Sequence, residues 1–330
     1  MKFTSTILGT GSYVPAQVYS NKYLASFLNT DEKWIFDNLG IQERHIAAPN
    51  QCTSDLAFEA GRLAIIDANL VPEDIQLIIV ATATPDRLAP STSCIVQEKL
   101  GARNSAAFDI SAVCSGFLYG MCVADQFIST GFYNKILVIG SDTFSRITDW
   151  NRRDAVFFGD GAGAVVMSAI SRETRLGFKK FFIHADGTGK FNFTVPAGGS
   201  EIPATKETID KGLHFFQMNG KEVYKTATSV LPGAINQVLI ESEFAIEDVS
   251  YLVPHQPSIR ILQKTAELIN LPFEKVLTNM DKYANTSAAS IPIVLDEANK
   301  AKKLKHSDKL VFAAIGSGWT FGAATMVWGH

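Results

Sequence analysis

Strong charge of either sign is missing from this 330-residue sequence: 30 Lys and Arg stand against 33 Asp and Glu, a formal net charge of −3. A balance this close to neutral supplies no basic field for a phosphate backbone and no pull toward anionic lipid, which argues against nucleic-acid and membrane partners. Long apolar runs are missing too. No window reaches the roughly 18 apolar residues that a membrane span needs, and the stretch from Met1 to Tyr13 is broken by Gly9, Thr10 and Gly11 before it forms the apolar region of a secretory signal. The expected location is cytoplasmic. Cysteine is scarce: Cys52, Cys94, Cys114 and Cys122 all lie in the first 122 residues, with no C-x-x-C pair and too few for a disulfide framework in a chain this long. The six histidines show no H-E-x-x-H spacing and no Cys/His cluster, so no metal is expected.

What is present, at 46% hydrophobic residues, is an ordinary globular composition arranged in alternation. Short β-branched or apolar runs recur at 77–82, 106–110, 135–140, 164–167, 251–253, 310–314 and 325–328. Between them lie segments of helical period at 54–68, 91–100, 115–132, 221–240, 258–269 and 288–300. Strand alternating with helix predicts an α/β fold with a mostly parallel, buried sheet. The sequence also resembles itself. Pro72-Glu-Asp-Ile-Gln-Leu-Ile-Ile-Val80 parallels Ile246-Glu-Asp-Val-Ser-Tyr-Leu-Val-Pro254, and Lys135-Ile-Leu-Val-Ile-Gly140 parallels Lys309-Leu-Val-Phe-Ala-Ala314, both at a shift of 174. Two related halves, residues 1–170 and 171–330, account for this. The stretch from Arg172 to Gly220 lacks steady periodicity and is expected to form a lid or insertion between them.

Three segments stand out chemically. In Phe108-Asp-Ile-Ser-Ala-Val-Cys114-Ser-Gly116 an apolar strand runs into a helix, placing Cys114 at a helix N-terminus, where the dipole is expected to lower the thiol pKa and favour the nucleophilic thiolate. Val253-Pro254-His255-Gln256 sets His255 at the C-terminal end of a strand, where α/β sheets place ligands. Asn285-Thr-Ser-Ala-Ala-Ser290 precedes a helix, and the 174-residue shift puts Ala288 opposite Cys114, so Asn285 falls nearly where the cysteine falls in the first half. A dinucleotide reading of Gly9-Thr-Gly11 fails, because Val14 occupies the third glycine position.

Cys114 in D-I-S-A-x-C-S-G, His255 in V-P-H-Q and Asn285 in N-T-S-A-A-S together resemble the thiolase superfamily, and specifically the β-ketoacyl-acyl-carrier-protein synthase III family. The similarity runs from Ile7-Leu-Gly-Thr-Gly-Ser-Tyr-Val-Pro15 through Gly40-Ile-Gln-Glu-Arg-His-Ile-Ala47 and Phe158-Gly-Asp-Gly-Ala-Gly-Ala164 to Gly316-Ser-Gly-Trp-Thr-Phe-Gly322. The resemblance implies a five-layered αβαβα fold of two duplicated halves, a homodimer, and a condensing enzyme with no permanently bound cofactor. Its substrates would be an acyl-CoA or related thioester and malonyl-acyl-carrier protein, in fatty acid or specialised polyketide-type biosynthesis.

The resemblance also implies residue roles. Cys114 would take the acyl group, and His255 (through Nε2–H) with Asn285 would stabilise the enolate left by decarboxylation. The backbone N–H groups of Cys114 and Gly318 would form a second oxyanion hole. Trp34 and Arg152 would sandwich the adenine of coenzyme A. Read from charge instead, Lys225, Arg260 and Lys264 are the basic residues expected to meet the acidic carrier protein, with Arg260 and Lys264 i,i+4 neighbours on one helix face. Departures from the family pattern stand at Asn38, Lys221, Ser258 and Ser317, and at Leu88 and Ala89, which fall near a phenylalanine that closes the acyl pocket from the partner subunit in housekeeping members. That last change is expected to leave room for longer acyl chains, unless one of the many phenylalanines, for instance Phe117 or Phe157, refills the space and keeps the pocket short. The rival readings are an acyltransferase on the same fold with an alcohol, amine or ketoacyl acceptor, and a non-catalytic partner subunit, which retention of Cys114, His255 and Asn285 opposes. The resemblance also argues against thiolysis, for which a degradative thiolase would need a second cysteine in its C-terminal loop; the corresponding loop reads Ile315-Gly-Ser-Gly318, and no cysteine follows Cys122.

Overall fold

Strand and helix alternate in the folded chain much as the patterning predicts. The computed structural model describes residues 3–329, so Met1, Lys2 and His330 lie outside it. The strands are β1 (Phe3–Tyr13), β2 (Gln17–Ser20), β3 (Glu43–Ile46), β4 (Leu77–Ala81), β5 (Ala106–Ile110), β6 (Lys135–Asp142), β7 (Gly161–Ser171), β8 (Gly177–Ala185), β9 (Phe193–Thr194), β10 (Gln217–Met218), β11 (Val249–Pro254), β12 (Lys309–Gly316) and β13 (Thr320–Val327). The helices are α1 (Asn21–Ala25), α2 (Glu32–Leu39), α3 (Thr53–Asp67), α4 (Thr92–Leu100), α5 (Gly116–Ser129), α6 (Lys206–Asp210), α7 (Gly220–Ser242), α8 (Ile259–Leu268), α9 (Met280–Tyr283) and α10 (Ser290–Lys300).

Two sheets, ordered β1-β7-β6-β4-β5 and β11-β12-β13-β8, carry the architecture. On β4, Leu77 and Ile79 belong to a core shared with α5 and α10, whereas Ile78 and Val80 belong to a second core shared with α3 and α4. A strand buried on both faces reads as an unbroken apolar run for this reason. Phe312 and Leu310 of β12 enter the same central core, while Val311 and Ala313 pack on the other side with α7 and α8. The succession is thus α3 and α4, first sheet, α5 and α10, second sheet, α7 and α8, which is five layers.

The 174-residue shift persists in three dimensions. β1 and β8 begin at residues 3 and 177, β6 and β12 at 135 and 309, α5 and α10 at 116 and 290, and the short 3-10 turns preceding those helices span Val113–Ser115 and Ser287–Ala289.

Two expectations need correction. The sheets are mixed rather than mostly parallel: β4 pairs in parallel with β5 and β6, and β11 with β12, but β1–β7, β6–β7, β12–β13 and β13–β8 are antiparallel. The closing strand of each half folds back on its predecessor without a crossover helix, so antiparallel pairing is the only geometry open to it. Nor is the whole stretch from Arg172 to Gly220 irregular, since its first part is edge strand β8. Lys179 and Lys180 break the apolar pattern there, as an edge strand with one open face permits.

Candidate active site

Cys114 is the middle residue of the Val113–Ser115 turn, immediately before α5. Val113 adopts φ 48° and Ser287, its counterpart in the second half, φ 52°. Left-handed backbone at a β-branched residue costs about 1–3 kcal/mol and persists only where the surroundings hold it. Two glycines do the holding. A Cβ on Gly316 would stand 2.7 Å from the Ala112 carbonyl oxygen and 3.0 Å from the Cys114 nitrogen, and one on Gly140 would stand 2.1 Å from the Ala288 carbonyl oxygen. The end of β12 therefore crosses the Cys114 turn, and β6 crosses the Ser287 turn, at distances that exclude any side chain.

The electrostatics differ from the dipole argument. Burial pushes the Cys114 thiol up to about 12, the nearby Asp142 carboxylate adds to the rise, and the Ser287 hydroxyl and the thiol's own backbone N–H pull only partly the other way. Desolvation of an anion outweighs one helix terminus, so the unliganded chain holds a protonated thiol. Asp142 is fully buried, and its Oδ1 accepts from the Thr82 and Thr84 hydroxyls and the Ala83 and Thr84 N–H groups, while its Oδ2 accepts from the Ala288 N–H at 3.2 Å. The carboxylate thereby ties the end of β4 to the Ser287 turn around the sulfur.

His255 follows β11, with its backbone N–H donating to the Ala313 carbonyl at 2.8 Å. Burial lowers its pKa to about 3, so the imidazole is neutral. Ser290 Oγ lies 2.7 Å from His255 Nδ1 and 2.8 Å from the Ser287 carbonyl oxygen, with one hydroxyl proton between them. When that proton goes to Nδ1, Nε2 carries the ring hydrogen and donates. When it goes to the carbonyl, Nδ1 is the donor and Nε2 the acceptor.

Asn285 is pinned by its backbone. Its N–H donates to the Phe157 carbonyl at 3.1 Å, and its carbonyl accepts the Gly159 N–H at 3.1 Å. Its side-chain Oδ1 accepts the Ser287 N–H at 2.8 Å. With the oxygen so engaged, the amide NH₂ is the free end.

Cys114, His255 and Asn285 line one cavity of about 280 Å³. All three are buried, whereas Trp34 is half-buried and Tyr224 and Arg260 are exposed, so the latter mark the mouth. Part of the wall is aromatic: Phe157, Phe158 and Phe193 line it with Met218, packed on Phe144 and Phe216. The rings interlock, with Phe144 and Phe158 stacked at 4.5 Å and Phe193 and Phe216 at 5.5 Å between centroids.

Other expected site residues fall less neatly. Gly318 is not among the lining residues; Gly316 and Ser317 are, and the close approach to Cys114 belongs to Gly316. Arg152 is ion-paired with Asp154 at 2.8 Å, and it is Arg153 whose guanidinium lies over the Trp34 ring, 3.7 Å from its centroid. Adjacent residues in a turn point apart, which the sequence cannot show. Arg260 lines the mouth, but Lys225 and Lys264 do not; they pair with Glu222 and Glu267 on their own helices at 3.7 and 2.7 Å. Leu88 is 92% exposed, and within this chain neither it nor Ala89 reaches the cavity. Sequence reading missed Asp142, Ser287 and Ser290, and of the phenylalanine wall it offered only Phe157. Only the two serines carried a signal, since they stand inside the N-T-S-A-A-S segment. Among the described residues no group of three or more His, Cys, Asp or Glu forms a metal site, and no helix is long and apolar enough to cross a membrane.

With this geometry established, comparison with known proteins is informative. Residues 108–187 match the family described as 3-oxoacyl-[acyl-carrier-protein (ACP)] synthase III, and residues 239–328 match its C-terminal counterpart. The chain is 47% identical over 328 residues to the beta-ketoacyl-[acyl-carrier-protein] synthase III of Caldanaerobacter subterraneus subsp. tengcongensis, covering 99% of this chain and 98% of that one. Its fold is similar to that of the 3-oxoacyl-[acyl-carrier-protein] synthase III of Aquifex aeolicus, at TM-score 0.90 and 39% identity, covering 98% of this chain and 100% of the other. It is also similar to the priming beta-ketosynthase of the R1128 polyketide pathway, at TM-score 0.90 and 27% identity, covering 99% and 97%.

Proposed function

Since this chain belongs to the 3-oxoacyl-[acyl-carrier-protein] synthase III family, a group of thiolase-fold condensing enzymes, we propose how its own residues divide the two half-reactions. The enzyme loads an acyl group from an acyl-CoA and condenses it with malonyl-acyl-carrier protein. In loading, the Cys114 sulfur attacks the thioester carbonyl, its proton departs, and coenzyme A leaves as a thiolate that takes up a proton in turn. The Cys114 N–H, held against Gly316, faces the tetrahedral oxygen, and Ser317 on the lining supplies the neighbouring backbone. In condensation the malonyl carboxylate leaves as CO₂, and the electron pair of the broken C–C bond becomes the enolate. The enolate carbon attacks the acyl-cysteine carbonyl, and the Cys114 thiolate is expelled and reprotonated by the one proton the reaction consumes.

The enolate oxygen is where His255 and Asn285 act. The observation that carries this reading is the orientation of Asn285, whose oxygen is taken by Ser287 so that its NH₂ is left to donate into the cavity that holds Cys114. His255 donates alongside it through Nε2–H when Ser290 directs its proton to Nδ1.

The entry route runs past Trp34, a platform for the coenzyme A adenine, and Arg260, which suits an acidic carrier protein. The open edge of β5, with Phe108 and Ile110 only partly buried, supports a homodimer formed across that edge. The enclosing test is a single-turnover assay of CO₂ release from malonyl-acyl-carrier protein with intact-protein mass. Cys114→Ala should gain no acyl mass from acyl-CoA, while Cys52→Ala, Cys94→Ala and Cys122→Ala should gain it. A stable acyl adduct on the Cys114→Ala protein defeats the assignment.

A further inference from the structure

Next to Trp34, which lines the cavity, two consecutive arginines are treated differently by the fold. Arg152 is committed to Asp154, its Nη2 lying 2.8 Å from the carboxylate, and its backbone N–H donates to the Asp149 carbonyl. Arg153 opens the next 3-10 turn and has its guanidinium carbon 3.7 Å from the centroid of the Trp34 ring. Trp34 itself is fixed. The Asp31 carboxylate accepts its backbone N–H at 2.7 Å, its carbonyl accepts from Asn38 Nδ2 at 2.7 Å, and the indole packs on the cluster that contains Leu24, Leu28, Ile35 and Leu39. Arg153 covers one face of that indole.

At 3.7 Å the guanidinium and the indole are in van der Waals contact, and no further layer of atoms fits between them. A planar purine needs that same contact distance from the indole. One ring face therefore serves Arg153 or a nucleobase, never both in their contact positions. An exposed cation–π contact is a weak bond, but breaking it still lowers the affinity of whatever replaces it.

We propose that Arg153 is a specificity-determining residue that competes with the adenine of a coenzyme A thioester for the Trp34 face, so that a nucleotide-bearing donor must displace it and a plain pantetheine thioester need not. The proposal rests on reading Trp34 as the adenine platform. Its functional consequence is a bias: the mouth binds coenzyme A donors and released coenzyme A less tightly than a bare indole would, while the pantetheine arm of the carrier protein, which brings no purine, is unaffected.

The test uses the purified full chain, with acetyl-CoA and acetyl-pantetheine as alternative donors and the KM for acyl loading of Cys114 as the readout. Arg153→Ala should lower the KM for acetyl-CoA by about two- to five-fold, the worth of an exposed cation–π contact, and leave that for acetyl-pantetheine unchanged. Arg153→Met, which keeps length without charge, should shift it in the same direction. An unchanged KM for acetyl-CoA in both variants overturns the competition, and a raised one overturns it in favour of Arg153 stacking on the bound purine. Trp34→Ala separates this from the underlying reading. It should raise the KM for acetyl-CoA, and if it does not, the adenine platform itself is wrong.

Discussion

The Ser287 backbone N–H donates to Asn285 Oδ1 at 2.8 Å, so the Asn285 amide presents its hydrogens, not its oxygen, to the cavity shared with Cys114. A main-chain donor two residues away thereby decides the polarity of a side chain. Asn285→Asp keeps the shape and the bond to Ser287 but replaces the free NH₂ by an anionic oxygen. Acyl loading should survive this change, while decarboxylative condensation should fall by about 10²–10³-fold, the loss expected for one oxyanion donor. Single-turnover loading followed by CO₂ release measures the two separately, and equal losses would assign Asn285 to the scaffold.

Ser290 is the corresponding control on His255, because its one hydroxyl proton lies between Nδ1 at 2.7 Å and the Ser287 carbonyl at 2.8 Å. Ser290→Ala removes the donor that places the ring hydrogen on Nε2. Condensation should drop about tenfold with loading largely intact, within the range seen for groups that orient another ligand, and Ser290→Thr should restore it. The ¹⁵N shifts of the His255 ring provide the independent readout, since Ser290→Ala should move the hydrogen toward Nδ1.

Burial holds the Cys114 thiol near 12, well above its ordinary 9. Below that value the reactive thiolate fraction rises tenfold with each pH unit. Alkylation of Cys114 by iodoacetamide in the unliganded protein should therefore climb steadily from pH 7 to 10 without a plateau, with the exposed Cys94 modified first. A plateau near pH 7 would restore the dipole-lowered thiolate. The same raised pKa makes the folded protein lose stability as pH increases above 9, because the unfolded thiol ionises there and the folded one does not.

The phenylalanine wall favours short donors, the alternative to the longer ones expected from Leu88 and Ala89. Leu88 and Ala89 do not line the cavity of this chain, whereas Phe157, Phe158 and Phe193 line it together with Cys114. Acetyl-CoA should load faster than butyryl- or hexanoyl-CoA. Phe193→Ala, at a partly buried ring on the short strand β9, should then favour the longer donors by up to about fourfold per added methylene, which is the worth of about 0.8 kcal/mol of burial. Loading rates over the donor series decide it, and faster loading of hexanoyl-CoA by the unaltered protein would sink the aromatic-wall reading.

The sequence by itself determined the alternation of strand and helix, the 174-residue repeat and the three segments bearing Cys114, His255 and Asn285, because each is written in local patterning or in short motifs with their own turn chemistry. Even the pairing of the two turns at Val113–Ser115 and Ser287–Ala289 was implicit in that repeat. Tertiary structure decided everything that depends on which groups meet. It set the thiol's protonation through burial beside Asp142, a residue 28 positions away whose carboxylate is aimed by donors from β4 and the second half. It laid Arg153 rather than Arg152 over the Trp34 ring, and it brought Gly316 against the Cys114 turn. Neighbours in sequence are equivalent on paper, but a turn sends their side chains in different directions. Desolvation likewise belongs to no residue alone, since it arises only when two layers of the fold close over the site and exclude water.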